Sequence, residues 1–119
     1  MKKKVLCAGH ICLDITPVFG TGREYDSLSS VMSPGRLVNV SAADIHTGGC
    51  VANTGLAMKL LGCDVTLAGK VGNDRFGKMI SEIVSEHGCS GLIVEEGADT
   101  SYSVVIAPPG IDRIFLHCP

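Results

Sequence analysis

Residues 52–88 read ANTGLAMKLLGCDVTLAGKVGNDRFGKMISEIVSEHG, and this stretch decides the fold. Phe76, Met79, Ile80, Ile83, Val84 and His87 recur at i, i+3, i+4, i+7, i+8 and i+11, the spacing of one helix face. Asp74 stands where an N-cap belongs, and Gly88 falls just past the end. Upstream, residues 64–68 form a short apolar run closed by Gly69 and Gly72, which predicts a strand. Residues 52–61 are apolar nearly all round and stop at Gly62, which predicts a buried helix.

Working outward, residues 5–8 read as a buried strand ending at Gly9, and residues 92–94 as another short strand. Strands separated by helices of ten or more residues need crossover connections and so predict a parallel sheet. Residues 16–35, rich in Gly, Pro and Ser, read as a loop, and residues 36–46 as a partly exposed strand or strand pair. Residues 101–107 and 111–117 alternate around Pro108-Pro109-Gly110, which predicts a hairpin. The antiparallel segments, about 36–46 and 99–117, predict a small second layer over the parallel one. Two helices cannot cover both faces of a parallel sheet. The expected fold is therefore α/β, a three-layer αβα arrangement incomplete here, with residues 1–119 as the N-terminal part of one larger domain.

The composition narrows the function. The chain has 119 residues, is 45% apolar and 18% charged, and carries a net charge of −2. That is enough apolar material for a packed core, so the chain is not of the disordered class. The near-neutral balance argues against a nucleic-acid partner, which would demand a basic stripe. No apolar run approaches the ~20 residues of a membrane span, and Lys2-Lys3-Lys4 precede too short an apolar run for a signal peptide. The expectation is a cytoplasmic protein. The six cysteines (Cys7, Cys12, Cys50, Cys63, Cys89 and Cys118) include no C-x-x-C pair and read as free, largely buried thiols.

Three segments could carry chemistry. Residues 72–78 match G-x-x-x-x-G-K between a strand and a helix, as a phosphate-binding P-loop would. However, Met79 replaces the hydroxyl that ligates magnesium, and Asp74 would set a carboxylate against phosphates, so a turn capped by Asp74 fits better. Gly48-Gly49 opens the first helix with Asn53 close behind; this is equally a bend for ligand approach or a tight turn with a local cap. Asp14, five residues beyond Gly9, falls near the C-terminal end of the first strand, where ligands of open α/β sheets bind. A carboxylate there can accept two hydroxyl hydrogen bonds from a polyol, and it can equally be a solvated loop residue. The pairs His10/Cys12 and His117/Cys118 lack metal-ligand spacing. His46 reads as a lid residue and His87 as packed on the apolar face of its helix.

Taken together, Gly9-x-x-x-x-Asp14, Gly48-Gly49-x-x-x-Asn53, Gly62 and Gly72-x-Asp74-x-x-Gly77 resemble the ribokinase-like (PfkB) family of carbohydrate kinases. Val51 and Gly55 depart from the family's preferences at positions that would make no side-chain ligand contact. The resemblance implies transfer of the ATP γ-phosphate to a sugar or nucleoside hydroxymethyl group, with Mg2+ as the accompanying ion. It also implies substrate contacts from Asp14, Gly48, Gly49, Asn53, Cys12 and Ser103. Cys12 replaces a polar contact of ribokinase-type members and Cys50 a lysine, which argues against ribose itself. The 36–46 and 99–117 segments resemble the family's lid, which often pairs with a second subunit. The family's catalytic Asp sits in a Gly-Ala-Gly-Asp type motif that does not occur among these residues. The nucleotide pocket belongs to the same later half. The expectation is a substrate-binding portion, inactive alone. The other reading that the sequence leaves is a non-catalytic sugar-binding or lid-mediated dimerisation module.

Overall fold

A computed structural model describes residues 1–119. The chain runs β1 (Lys4–Ala8), β2 (Cys12–Pro17), α1 (Leu28–Val31), β3 (Ala43–Gly48) and α2 (Gly49–Leu60), then β4 (Asp64–Ala68) and β5 (Lys70–Gly72). It continues with α3 (Arg75–Glu86), β6 (Ile93–Glu95), β7 (Tyr102–Ile106) and β8 (Ile114–Cys118).

The body is the expected parallel sheet. β1 pairs in parallel with β4, from Lys4 opposite Asp64 to Ala8 opposite Ala68, and β5 pairs in parallel with β6. Thr66 bridges Ser90 on the edge away from β1, and Ile93 N donates to Gly69 O at 2.9 Å. The β4–β5 run therefore has β1 on one flank and residues 90–95 on the other. α2 packs on β1 and β4, and α3 on β5 and the base of β2 and β3. Eleven buried residues form the core, with Leu67 and Ile80 fully enclosed at its centre. Such side chains contribute about 1.5–3 kcal/mol each over full exposure.

The second layer is a four-stranded sheet in the order β3-β2-β7-β8. β2 is the element the sequence reading omits: residues 12–17 are a strand, antiparallel to β3 and parallel to β7. Leu13 and Ile15 alternate with Cys12, Asp14 and Thr16, the period-2 signature of a half-buried strand. Further differences are local. Regular pairing of β3 begins only at Ala43, and residues 28–31 add a helical turn to the expected loop. β1 is not a buried strand, since Cys7 alone is enclosed and Leu6 is exposed. α2 buries one face only, through Val51, Ala52 and Gly55, while Leu60 and the adjoining Leu61 lie open. His87 is exposed at the end of α3, its Nδ1 2.8 Å from Ile83 O. None of the six cysteines is bonded to another; Cys7, Cys12 and Cys89 are buried, and Cys50 is exposed.

The expected cap of α3 joins the two layers. Asp74 Oδ1 accepts from Gly77 N at 2.7 Å and from Thr100 Oγ1 at 2.6 Å, while Oδ2 accepts from Thr100 N at 2.8 Å. Thr100 Oγ1 in turn accepts from Gly72 N at 2.9 Å. This network fastens the segment entering β7 to the start of α3. It also disposes of the P-loop reading: the loop's amides bond to Asp74 and Thr100, and the Gly72 carbonyl fills the space beside Gly77.

The Thr100 hydroxyl, with the Gly77 and Thr100 amides, holds the Asp74 carboxyl below the usual carboxylate range, against a smaller opposing effect of burial. A carboxyl with a lowered folded value stabilises the fold fully above its unfolded value of about 3.9, and that stability is lost as pH falls through the folded value. Asp74→Ala in the protein is expected to cost about 1–3 kcal/mol by urea denaturation at pH 7. Asp74→Asn is expected to show a smaller loss of stability than wild type between pH 5 and pH 3. An unchanged pH slope in Asp74→Asn would show that the carboxylate does not carry this linkage.

Candidate functional site

The lid sheet sets side chains of one parity on one face. Cα register places Asp14 beside His46 on β3 and Ser103 on β7, with Cys12 opposite Gly48 and Ser103 beside His117 on β8. Cys12, Asp14, Gly48 and Ser103 therefore share a face, four of the six residues expected to contact substrate. Asp14 is thus held within a strand of the lid and not on a loop at the tip of β1, which corrects the expected placement.

Gly48 is required here for space. Its backbone is extended, a conformation any residue adopts. A Cβ at this position would run into both oxygens of the Asp14 carboxylate, which lies directly over it. Gly49 is required for a different reason: its φ is +83°, and a Cβ would come within 2.5 Å of the His10 carbonyl oxygen. That carbonyl accepts from Val51 N at 3.0 Å, so His10 caps the start of α2. The glycine pair thus brings β3, α2 and the β1–β2 connection together. Asn53 lies one turn into α2, exposed and without a side-chain hydrogen bond, and is not drawn into the cluster.

Cys12 is 4% exposed and its thiol donates to Asp14 Oδ1 at 3.5 Å. Burial, then the Asp14 charge and this hydrogen bond, push the thiol up to about 11, so it stays protonated and neutral at physiological pH.

A cleft of about 500 Å³ opens at the C-terminal ends of β1 and β4, lined by Gly9, His10, Gly69, Lys70, Asp99 and Ser101 among others. This is where an open α/β sheet binds ligands. Neither Asp14 nor Gly48 lines it. Ser103, the register neighbour of Asp14, is linked toward the cleft through the two histidines. His10 meets His117 edge-on at 5.7 Å between ring centroids, and His117 Nδ1 is 2.9 Å from Ser103 Oγ. Ser101 Oγ lies 3.5 Å from His10 Nε2 and donates to Cys118 O at 2.7 Å. His10, His117 and Ser101 were not expected at the site. The sequence holds no local signal for them, because residues 10 and 117 meet only through the pairing of β8 onto β7.

A parallel α/β body with a β lid beside a cleft at its strand ends is the architecture of the ribokinase-like fold. The comparisons agree. A ribokinase from Giardia lamblia superposes with a TM-score of 0.76 at 18% identity, over 99% of this chain and 36% of that one. A fructokinase from Xylella fastidiosa with bound ATP gives 0.67 at 25% identity, over 98% and 33%. Fructokinase-1 of Zea mays is 32% identical over 71 residues, covering 58% of this chain and 22% of that protein. Probable fructokinase-4 of Arabidopsis thaliana is 26% identical over 117 residues, covering 97% and 32%. The pfkB family carbohydrate kinase profile matches residues 2–118, and the chain belongs to that family. It spans about a third or less of the length of these relatives.

Two outcomes test the site's geometry. Gly48→Ala is expected to leave the fold intact while displacing the Asp14 carboxylate, so its effect on ligand binding should largely vanish in an Asp14→Ala background. Full additivity of the two substitutions would separate the residues. Iodoacetamide at pH 8 is expected to modify Cys50 and spare Cys12, read by peptide mass spectrometry, since the thiolate is the nucleophile and Cys12 is both buried and protonated. Equal labelling of both would contradict the enclosed, neutral thiol.

Proposed function

We propose that this chain is the substrate-binding portion of a kinase that transfers the ATP γ-phosphate to a hydroxymethyl group of a sugar. The observation that carries this reading is the shared lid face, on which Asp14, Gly48, Cys12 and Ser103 meet beside the cleft. Asp14 accepts hydrogen bonds from sugar hydroxyls, and Gly48 leaves room for its carboxylate. Ser103 offers a hydroxyl beside it, with Gly49 and Asn53 at the mouth of α2. Closure of the lid excludes water that would compete for the phosphoryl group.

ATP and Mg2+ are assigned to the remainder of the protein, together with the catalytic base. The phosphate-loop candidate here is closed by Asp74 and Thr100. No step of the transfer is therefore routed through residues of this chain, which orient the acceptor. We assign residues 1–119 to the N-terminal part of a single domain whose other segments cover Leu6, Leu60, Ile93 and Val94, apolar positions now exposed. Exposed Ile45 and Leu116, on the same face of the lid sheet, support pairing of two lids in a homodimer. The proposed location is cytoplasmic, and no helix is long and apolar enough to cross a membrane.

In the full-length protein, Asp14→Ala is expected to raise KM for the sugar and lower kcat. The combined loss in kcat/KM is about 10–150-fold, as one charge-assisted hydrogen bond of about 1.5–3 kcal/mol would give. Coupled-assay kinetics over a panel headed by fructose, with pentoses and nucleosides included, checks both substitution and substrate. An unchanged kcat/KM removes Asp14 from the site, and phosphorylation of nucleosides alone replaces the sugar in this reading.

A further inference from the structure

The segment between β2 and β3 takes no part in the site above, yet it builds a recess of its own. An open surface recess of about 210 Å³ lies on that segment, with Arg23, Tyr25, Ser30, Val31, Arg36 and Asn39 in its wall and no carboxylate among the lining residues. The only salt bridge in the structure joins Lys70 to Glu95, so both guanidiniums lack a carboxylate partner. Arg23 is held over the Tyr25 ring, 5.1 Å from its centroid, which leaves the edge of the guanidinium with its N–H groups free to bond elsewhere. Tyr25 is itself fixed: its amide donates to Pro109 O at 2.9 Å, and Gly110, with φ +87°, sits against its backbone. The recess is therefore pinned to the β7–β8 turn without any ligand.

We propose that this recess binds a small phosphoryl anion. Two arginines 13 residues apart in sequence, both exposed, line one recess in a chain whose net charge is −2. Guanidinium N–H groups match phosphate oxygens in fork geometry, and the Asn39 carboxamide adds neutral N–H donors to the wall, whereas the Ser30 hydroxyl already donates to Ser27 O at 2.6 Å. A volume of about 210 Å³ accommodates inorganic phosphate or a small phosphate monoester. The proposal does not depend on the kinase reading, because it shares no residue with the cleft or with the lid face that carries Asp14.

The test uses the full-length protein, with inorganic phosphate as the probe against potassium chloride of equal ionic strength. Phosphate is expected to raise Tm in a concentration-dependent way, with the largest amide chemical-shift changes at Ser30, Arg36 and Asn39. Arg23→Gln with Arg36→Gln is expected to weaken phosphate binding by about tenfold or more, and Arg36→Lys by less. Both side chains are on the surface, so the fold should survive, and the chloride-matched Tm of the variant checks it. The proposal is overturned if phosphate binds the double variant as tightly as wild type. It is equally overturned if the shifts concentrate around Gly48 and Gly49, which would place the anion in the kinase cleft, or if phosphate does no more than chloride.

Discussion

The carboxylate at the centre of the candidate site depends on an atom that is missing. Asp14 projects from β2 across its neighbour β3, and the space it occupies is where a side chain at Gly48 would begin. In an antiparallel pair, opposed side chains lie within about 5 Å of one another, so two full side chains would force the carboxylate away from the sheet. With Gly48 opposite Cys12 and two register positions from the Asp14 pair, the acid folds back along the sheet face and comes within reach of the Cys12 thiol. The next residue, Gly49, then turns the chain into α2 by adopting a backbone region that a side chain would resist. One short segment thereby clears space for the acid, ends a strand and starts a helix.

That arrangement stays in register because the lid is fastened at its far root. Asp74 satisfies the first turn of α3 and at the same time bonds both the amide and hydroxyl of Thr100, immediately before β7 begins. Phe76, the second residue of α3, packs against Tyr102 at 5.2 Å between ring centroids, and Tyr102 opposes Leu13 on β2. Leu13 is fully buried, on the opposite side of β2 from Cys12 and Asp14. A one-residue slip of β2 against β7 would expose Leu13 and bury Asp14, which a half-buried strand cannot accommodate. The apolar side of the strand therefore fixes the direction in which its polar side faces.

The elements that were legible in the sequence are those whose signal is local. The period of α3, the Asp74 cap, the hairpin around Pro108-Pro109-Gly110 and the alternation of strands with helices are each contained within a dozen residues. β2 was equally local, alternating Leu13 and Ile15 with Cys12, Asp14 and Thr16, but a run of five such residues beside Gly9 and Pro17 is easily merged with the neighbouring turn. α2 misled for a physical reason: an all-round apolar helix predicts burial on every side, and only its Val51–Ala52–Gly55 side meets the sheet. The site divides the same way. Asp14 and Gly48 carry a recognisable spacing, whereas the approach of His10 to His117 is created by sheet pairing across more than a hundred residues.

Cys12 shows how the choice of donor beside an acid can tune what the acid offers a ligand. A hydroxyl or amide at this position would bond the Asp14 carboxylate at the short distances of oxygen and nitrogen donors and occupy one of its oxygens. The thiol does so at 3.5 Å, as a weak donor, and burial keeps its proton in place up to a pH of about 11. It orients the carboxylate without neutralising it and without adding a second negative charge to the face. Most of the acceptor capacity of Asp14 is thus left unused within the chain, which is what the proposed sugar-binding role of this residue requires.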